Sequence, residues 1–171
     1  MDTRQIDNIL RYSPITSKVF RGVFSVDNIK SQQGPGIYVC NTDPSDRPGK
    51  HWIVIGIPPE NSDRVVEYFD SFGFPPQQQE FVDFLNNNTT SSSSWIYNTD
   101  RIQHPLSTVC GHYCVLYAFN FAQNKSMAHF IARFDTKKVF ENDIMVHERG
   151  MFARMDIPLI DVNMIVNQLG Y

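Results

Sequence analysis

The stretch "STVCGHYCVLYAFNFAQ", residues 107 to 123, limits what this chain can fold into more than any other. From Thr108 to about Gln123 apolar side chains recur almost all round a helical wheel, so a helix here has no face to give to water. It must lie at the centre of a domain, with other elements packed around it. At 171 residues the chain holds one domain's worth of material, since single cores span about 100 to 200 residues. Residues 1–171 are therefore read as a single domain. With 42% hydrophobic and 13% aromatic residues, it can supply the surrounding layers, and it lacks the polar signature of disorder.

Those layers can be traced along the chain. Ile6, Ile9 and Leu10 stand at helical spacing and predict a short amphipathic helix over residues 3–11. "FRGVFSVDNIKSQQGPG", with its glycines and proline, reads as a surface connection. "IYVCN" (37–41), "HWIVIGI" (51–57) and "RVVEYFDSF" (64–72) read as strands separated by short polar turns, and three consecutive strands of this kind predict an antiparallel meander. Pro75 and Pro76 are placed to start a helix that carries Phe81, Phe84 and Leu85 on one face. "TTSSSS" is a low-complexity loop, and "WIYNTDRIQHP" a strand running into a loop. After the central helix, "SMAHFIARFD" predicts a helix capped by Ser126, and residues 161–169 a last one capped by Asp161. Helices around a mostly antiparallel sheet make the class α+β.

Bulk properties give no argument for a nucleic-acid or membrane role. A formal charge of −3 gives no overall attraction to nucleic acid or anionic lipid. "MDTRQIDNILRYS" has no apolar core like that of a secretory leader, and no run reaches the roughly 18 apolar residues of a membrane span. The expectation is a protein made and used inside a cell. Cys40, Cys110 and Cys114 are too few for a disulfide framework and fit a reducing compartment. The glycosylation sequons at Asn87, Asn88 and Asn124 are then chance matches.

The chemistry-bearing residues converge on Cys110. At the N-terminus of the central helix, exposed N–H groups and the helix dipole favour a thiolate. Gly111 lets a substrate carbonyl approach the backbone, and the Cys110 amide can donate to an oxyanion. A thiolate nucleophile also needs a histidine to hand a proton to the leaving group, and a carboxylate to orient that histidine. His51 begins the second strand and Asp70 lies near the end of the third, so antiparallel pairing would bring them side by side. Gln103, seven residues before Cys110, is placed to be a second oxyanion donor. Other readings compete. A lone cysteine is usually core, which is the reading given to Cys114 and Cys40. His104, Cys110, His112 and Cys114 fall close together, but their spacing lacks the usual C-x2-C pairing of zinc sites and His112 points away from the face shared by the two cysteines, so no metal is expected. His129 and His147 are read as ordinary surface or helix residues. Trp52, opposite His51 by strand alternation, could equally be core.

"KHWIVIGI", "VEYFDSFGF" and "IQHPLSTVCGHYC" resemble, in order and spacing, the catalytic blocks of the adenovirus maturation protease family, papain-type cysteine proteases of permuted topology whose clan includes the SUMO and ubiquitin-like protein proteases. The resemblance spans roughly residues 20 to 122 and is loose beyond. It implies His51 as general base and acid, Asp70 as its orienter, Cys110 as nucleophile and Gln103 as the oxyanion-hole side chain, with Trp52 and Gly111 lining the substrate groove. It further implies a thiol endopeptidase that cleaves protein precursors at Gly-containing sites, as a viral maturation protease does, with no cofactor and acting as a monomer. Alternatives of the same fold are a protease removing ubiquitin-like tags after Gly-Gly, and an inactive binding module. The family's adenovirus members carry Glu at the Asp70 position and the SUMO proteases Asp. The cysteine by which the adenovirus enzyme tethers an activating peptide has no counterpart in "SSSSWIYNTD". An activating peptide, if used, would be held without a disulfide, and a DNA cofactor is not expected. The implied location is the host nucleus or cytoplasm, and the virion.

Overall fold

The computed structural model describes residues 1–29, 34–89 and 94–147; the helix expected over 161–169 lies outside them. In chain order the elements are α1 (Thr3–Tyr12), β1 (Phe20–Ser25), β2 (Gly36–Asn41), β3 (Trp52–Ile57), β4 (Glu67–Phe69), α2 (Gln79–Asn87), β5 (Ile96–Tyr97), α3 (Cys110–Ala122), α4 (Met127–Ile131) and α5 (Val139–His147). The strands form one sheet in the order β1-β2-β3-β4-β5. β2, β3 and β4 make the antiparallel meander, and each outer strand runs parallel to its neighbour. The class is α+β, as the sequence predicts. The supposed surface connection contains an edge strand instead. β1 escapes the sequence pattern because its register shifts between Phe20 and Gly22 and its burial is irregular.

Every residue of β2 is buried, which a two-faced alternation explains. Ile37, Val39, Val54 and Phe69 face one cluster with α1, α3 and α4, whereas Tyr38, Cys40, Ile53, Ile55 and Tyr68 face another with Phe81, Phe84 and Leu85 of α2. The sheet thus lies between two helical layers. α3 occupies the middle of the thicker layer, and its residues from Cys110 to Phe121 are all buried. Its close seat on the sheet depends on Gly56, where an added Cβ would lie 2.4 Å from the Phe121 ring. That ring cannot easily move, because the Arg64 guanidinium covers it at 4.0 Å while bonding the buried Glu67 carboxylate at 3.0 Å.

α1 is held by a reciprocal cap. The Asp2 side chain accepts from the Gln5 amide at 2.8 Å, and the Gln5 side chain accepts from the Asp2 amide at 2.9 Å. Its buried Ile6, Ile9 and Leu10 join the α3 cluster. α2 begins after Gln78, so Pro75 and Pro76 lie in the loop ahead of it rather than in its first turn. α4 carries the expected Ser126 cap, whose hydroxyl accepts from His129 N–H at 3.2 Å.

Candidate active site

The uncapped start of α3 organises the site. Its N-cap is Val109, which has no side chain to accept the first-turn amides; His112 N–H turns back to Val109 C=O at 2.9 Å, which leaves the N–H groups of Cys110 and Gly111 for something else. At Cys110 that partner is its own sulfur, which receives hydrogen bonds from the backbone N–H of Gly111 and, across from β3, of Trp52. The His51 side chain, one residue before β3, hydrogen-bonds the same sulfur.

The other side of the imidazole meets Asp70. Extending the β3–β4 register, in which Val54 faces Phe69, brings the end of β4 to the start of β3, and His51 Nε2 lies 2.8 Å from Asp70 Oδ1. Nδ1 is therefore the nitrogen left for the thiol. The imidazole is further clamped by the Phe72 ring, stacked 4.7 Å away at 23°. Asp70 is 4% exposed, and its Oδ1 also accepts from Phe72 N–H at 2.8 Å. The buried Asn98 holds its backbone, accepting from Asp70 N–H at 3.0 Å and donating to Asp70 C=O at 2.6 Å. The chain then turns at Gly73, whose φ of 73° favours glycine.

Electrostatics follow from these contacts. Burial works against a charged His51, but hydrogen bonds to Asp70 and then Cys110 outweigh it and raise the imidazole from 6.5 to about 9. For Cys110, burial would raise the thiol; the His51 hydrogen bond and charge, with the Trp52 and Gly111 amides, bring it below its ordinary 9.0. Burial pushes Cys40 and Cys114 the opposite way, well above that value. Of the three sulfurs, Cys110 alone has the surroundings of a reactive thiolate, and a thiolate beside an imidazolium can attack a carbonyl and return a proton to the group that leaves.

Trp52 and Gly111 flank this sulfur. A Cβ on Gly111 would lie 3.4 Å from Trp52 Cδ1 and 2.9 Å from Met1 Cβ, and the Trp52 indole donates to Met1 C=O at 3.2 Å. The Gln103 side-chain amide is engaged by two serines. Its side chain is fully buried, with Oε1 accepting from the Ser71 hydroxyl at 2.5 Å and Nε2 donating to Ser107 C=O at 3.1 Å and Oγ at 2.9 Å. The amide thus reaches the loop that enters Cys110, through a residue, Ser107, that sequence reasoning passed over. Asn98 and Ser71 escaped it too. The only signal for Ser71 was its place beside Asp70.

His112 is the histidine that the pattern undervalued. It is 7% exposed, its ring lies 5.3 Å from that of His147, and among the described residues its Nδ1 has no hydrogen-bond partner. Burial first, then the Met1 amino group and His147, lower its pKa from 6.5 to about 4. A histidine held neutral in the fold stabilises it above pH 6.5 and loses that contribution as pH falls toward 4. The contribution lost is on the order of 3 kcal/mol. Urea unfolding of the wild type and of His112→Gln across this range should show a steeper acid loss in the wild type. Parallel curves would contradict the assignment. No group of three or more metal-ligating side chains occurs among the described residues.

Known proteins similar to this chain point to one family. The sequence profile of the adenovirus endoproteases matches residues 15–151. The chain is 24% identical over 124 residues to the protease of porcine adenovirus A serotype 3, covering 62% of this chain and 60% of that protein. It is 30% identical over 104 residues to the protease of bovine adenovirus C serotype 10, covering 54% and 51%. The matched region thus spans between half and two thirds of these relatives' length. Among solved structures, an ASFV protease superposes with a TM-score of 0.61 at 20% identity, over 85% of this chain and 66% of that one. The SUMO protease Ulp1 superposes with a TM-score of 0.53 at 14% identity, over 99% and 78%. These two likenesses concern the fold. With the profile covering most of the chain, this protein belongs to the adenovirus endoprotease family.

Proposed function

We propose that the chain is a cysteine endopeptidase that cleaves viral protein precursors at Gly-containing sites, in the infected cell or the virion. The observation that carries this reading is the sulfur of Cys110 hydrogen-bonded to His51, whose Nε2 lies 2.8 Å from Asp70. In the first step an electron pair of the Cys110 thiolate forms a C–S bond to the scissile carbonyl carbon, and the C=O π pair moves onto the oxygen. As the tetrahedral species collapses, the C–N bond breaks and His51 gives its proton to the departing amine, leaving a thioester. Water then loses a proton to His51 and attacks the thioester, which releases the new carboxyl terminus and the thiol. Asp70 holds the imidazole oriented throughout. The Cys110 amide is one oxyanion donor. Gln103 is the second, which requires an N–H now directed at Ser107 to turn toward the oxyanion.

Close packing beside the sulfur accounts for the preference for glycine. Met1 and Trp52 already crowd the space over Gly111, so a substrate backbone passing there has little room for a side chain. The second reading is a protease acting after the Gly-Gly end of ubiquitin-like tags, and the same crowding favours it. Two reagents separate the readings: a short internal peptide with glycine at the scissile bond, and a ubiquitin-like vinyl sulfone. The proposal expects cleavage of the peptide and no adduct with the tag. Adduct formation without peptide cleavage would favour tag removal. Failure of both would point to an inactive member of the fold.

A further inference from the structure

Both peptide planes that flank Gln103 are tied to α5. On the N-terminal side, the Ile102 carbonyl accepts from Asn142 Nδ2 at 3.0 Å, with the Tyr113 hydroxyl at 2.9 Å. On the C-terminal side, His104 N–H donates to Asp143 Oδ2 at 3.1 Å, while Asp143 Oδ1 lies 2.9 Å from the same Tyr113 hydroxyl. Asn142 is 3% exposed and Asp143 7%. Asn142 is in turn braced against residue 135, accepting from Asp135 N–H at 3.3 Å and donating to Asp135 C=O at 2.9 Å. A buried carboxylate is costly unless its lone pairs are satisfied. Among the described residues Asp143 forms no salt bridge; its partners are His104 N–H and the Tyr113 hydroxyl, and Ser71 C=O adds a third hold on the segment, accepting from Ile102 N–H at 3.0 Å and Gln103 N–H at 3.1 Å. The pattern is inverted for a helix on a surface, since Phe140 and Ile144 are exposed while the two polar residues point inward.

We propose that Asn142 and Asp143 are positioning residues for the reaction: α5 clasps the Gln103 segment from both sides and sets where its side-chain amide stands. The proposal rests on the reading of Gln103 as an oxyanion donor. Serine hydroxyls fix the amide itself, but its Cα–Cβ direction follows from the two peptide planes, and small displacements of a donor are enough to lose transition-state stabilisation. Such a residue acts on the chemical step without touching the thiolate.

The test combines Gln103→Ala, Asp143→Ala, Asn142→Ala and their pairings, assayed for peptide cleavage, for Cys110 alkylation by iodoacetamide and for thermal unfolding. Alkylation builds no tetrahedral oxyanion, so it reports the thiolate alone. Gln103→Ala should lower kcat by about a hundredfold to a thousandfold. Asp143→Ala should lower kcat by at least about tenfold, with KM and alkylation rate unchanged, and Asn142→Ala should follow the same pattern. Asp143→Asn, which keeps an acceptor for His104 N–H, should recover most of the loss. Adding Asp143→Ala to Gln103→Ala should cost nothing further, because the clasp then has no amide to position. Unchanged turnover in Asp143→Ala and Asn142→Ala, beside a large loss in Gln103→Ala, would overturn the positioning role and leave the oxyanion reading standing. Unchanged turnover in Gln103→Ala would remove the oxyanion reading and the proposal with it. A loss of alkylation in parallel with cleavage, or full additivity in the double variant, would show that α5 supports the fold and not Gln103.

Discussion

Replacing Cys110 by Ala is expected to reduce peptide cleavage on the order of a millionfold, to the background set by binding alone, while the protein remains folded. The size follows from removing the attacking atom itself, since loss of a nucleophile costs about as much as loss of the whole catalytic set. Stability should change little. Cys110 is the first residue of α3 and is 8% exposed, and the change removes a single atom there. Cys114→Ala provides the contrast, because that side chain is fully buried in the α3 cluster. There the expected outcome is retained turnover and a stability loss of about 1 kcal/mol from the vacated volume. Mass spectrometry after iodoacetamide treatment of native protein should find the label on Cys110 and none on Cys114. Comparable loss of cleavage in both folded variants would remove Cys110 from the role of nucleophile.

The second large effect is expected at Asp70. Asp70→Asn keeps the shape of the side chain, its contact with Phe72 N–H and the Asn98 clamp, but it withdraws the negative charge that favours imidazolium. Turnover should fall by about a hundredfold to a thousandfold, less than the roughly ten-thousandfold for the same change in a serine triad, because a thiolate leans less on its base. The pH dependence carries the sharper signature. His51 stands at about 9 against an ordinary 6.5, so its contribution to stability is complete below pH 6.5 and disappears as pH rises through 9. In Asp70→Asn that alkaline loss should flatten. A weaker imidazolium also stabilises the thiolate less, so the pH midpoint of Cys110 alkylation should move upward. Profiles that superpose on the wild type would reduce Asp70 to a strand-end residue.

How far the sequence led can be judged at particular residues. The β2–β3–β4 meander and α3 follow from apolar runs that admit one reading, and the same antiparallel register that pairs Val54 with Phe69 brings His51 to Asp70. Those relationships are local and periodic, which is why a chain read alone reveals them. α5 was hidden because it reverses the rule that periodicity relies on, burying Asn142 and Asp143 and exposing Phe140 and Ile144. β1 was hidden by its irregular register. Ser107 and Asn98 were hidden for another reason. Their importance lies in which backbone group each one meets across the fold, and nothing in the identity of a serine or an asparagine encodes that partner.

The three cysteines also determine how this protein meets an oxidant. Cys40 and Cys114 lie on opposite faces of the sheet, fully buried and protonated at neutral pH because burial holds them so. A peroxide reacts with thiolates, so its damage falls on Cys110, where one equivalent forms a sulfenic acid and releases water. Cys114, one helical turn further along, is a poor resolving thiol because it cannot readily ionise to close a disulfide over that sulfenic acid. Peroxide should therefore silence the protein stoichiometrically without unfolding it. Early reductant would restore it, and continued exposure would carry the same sulfur to its irreversible higher acids.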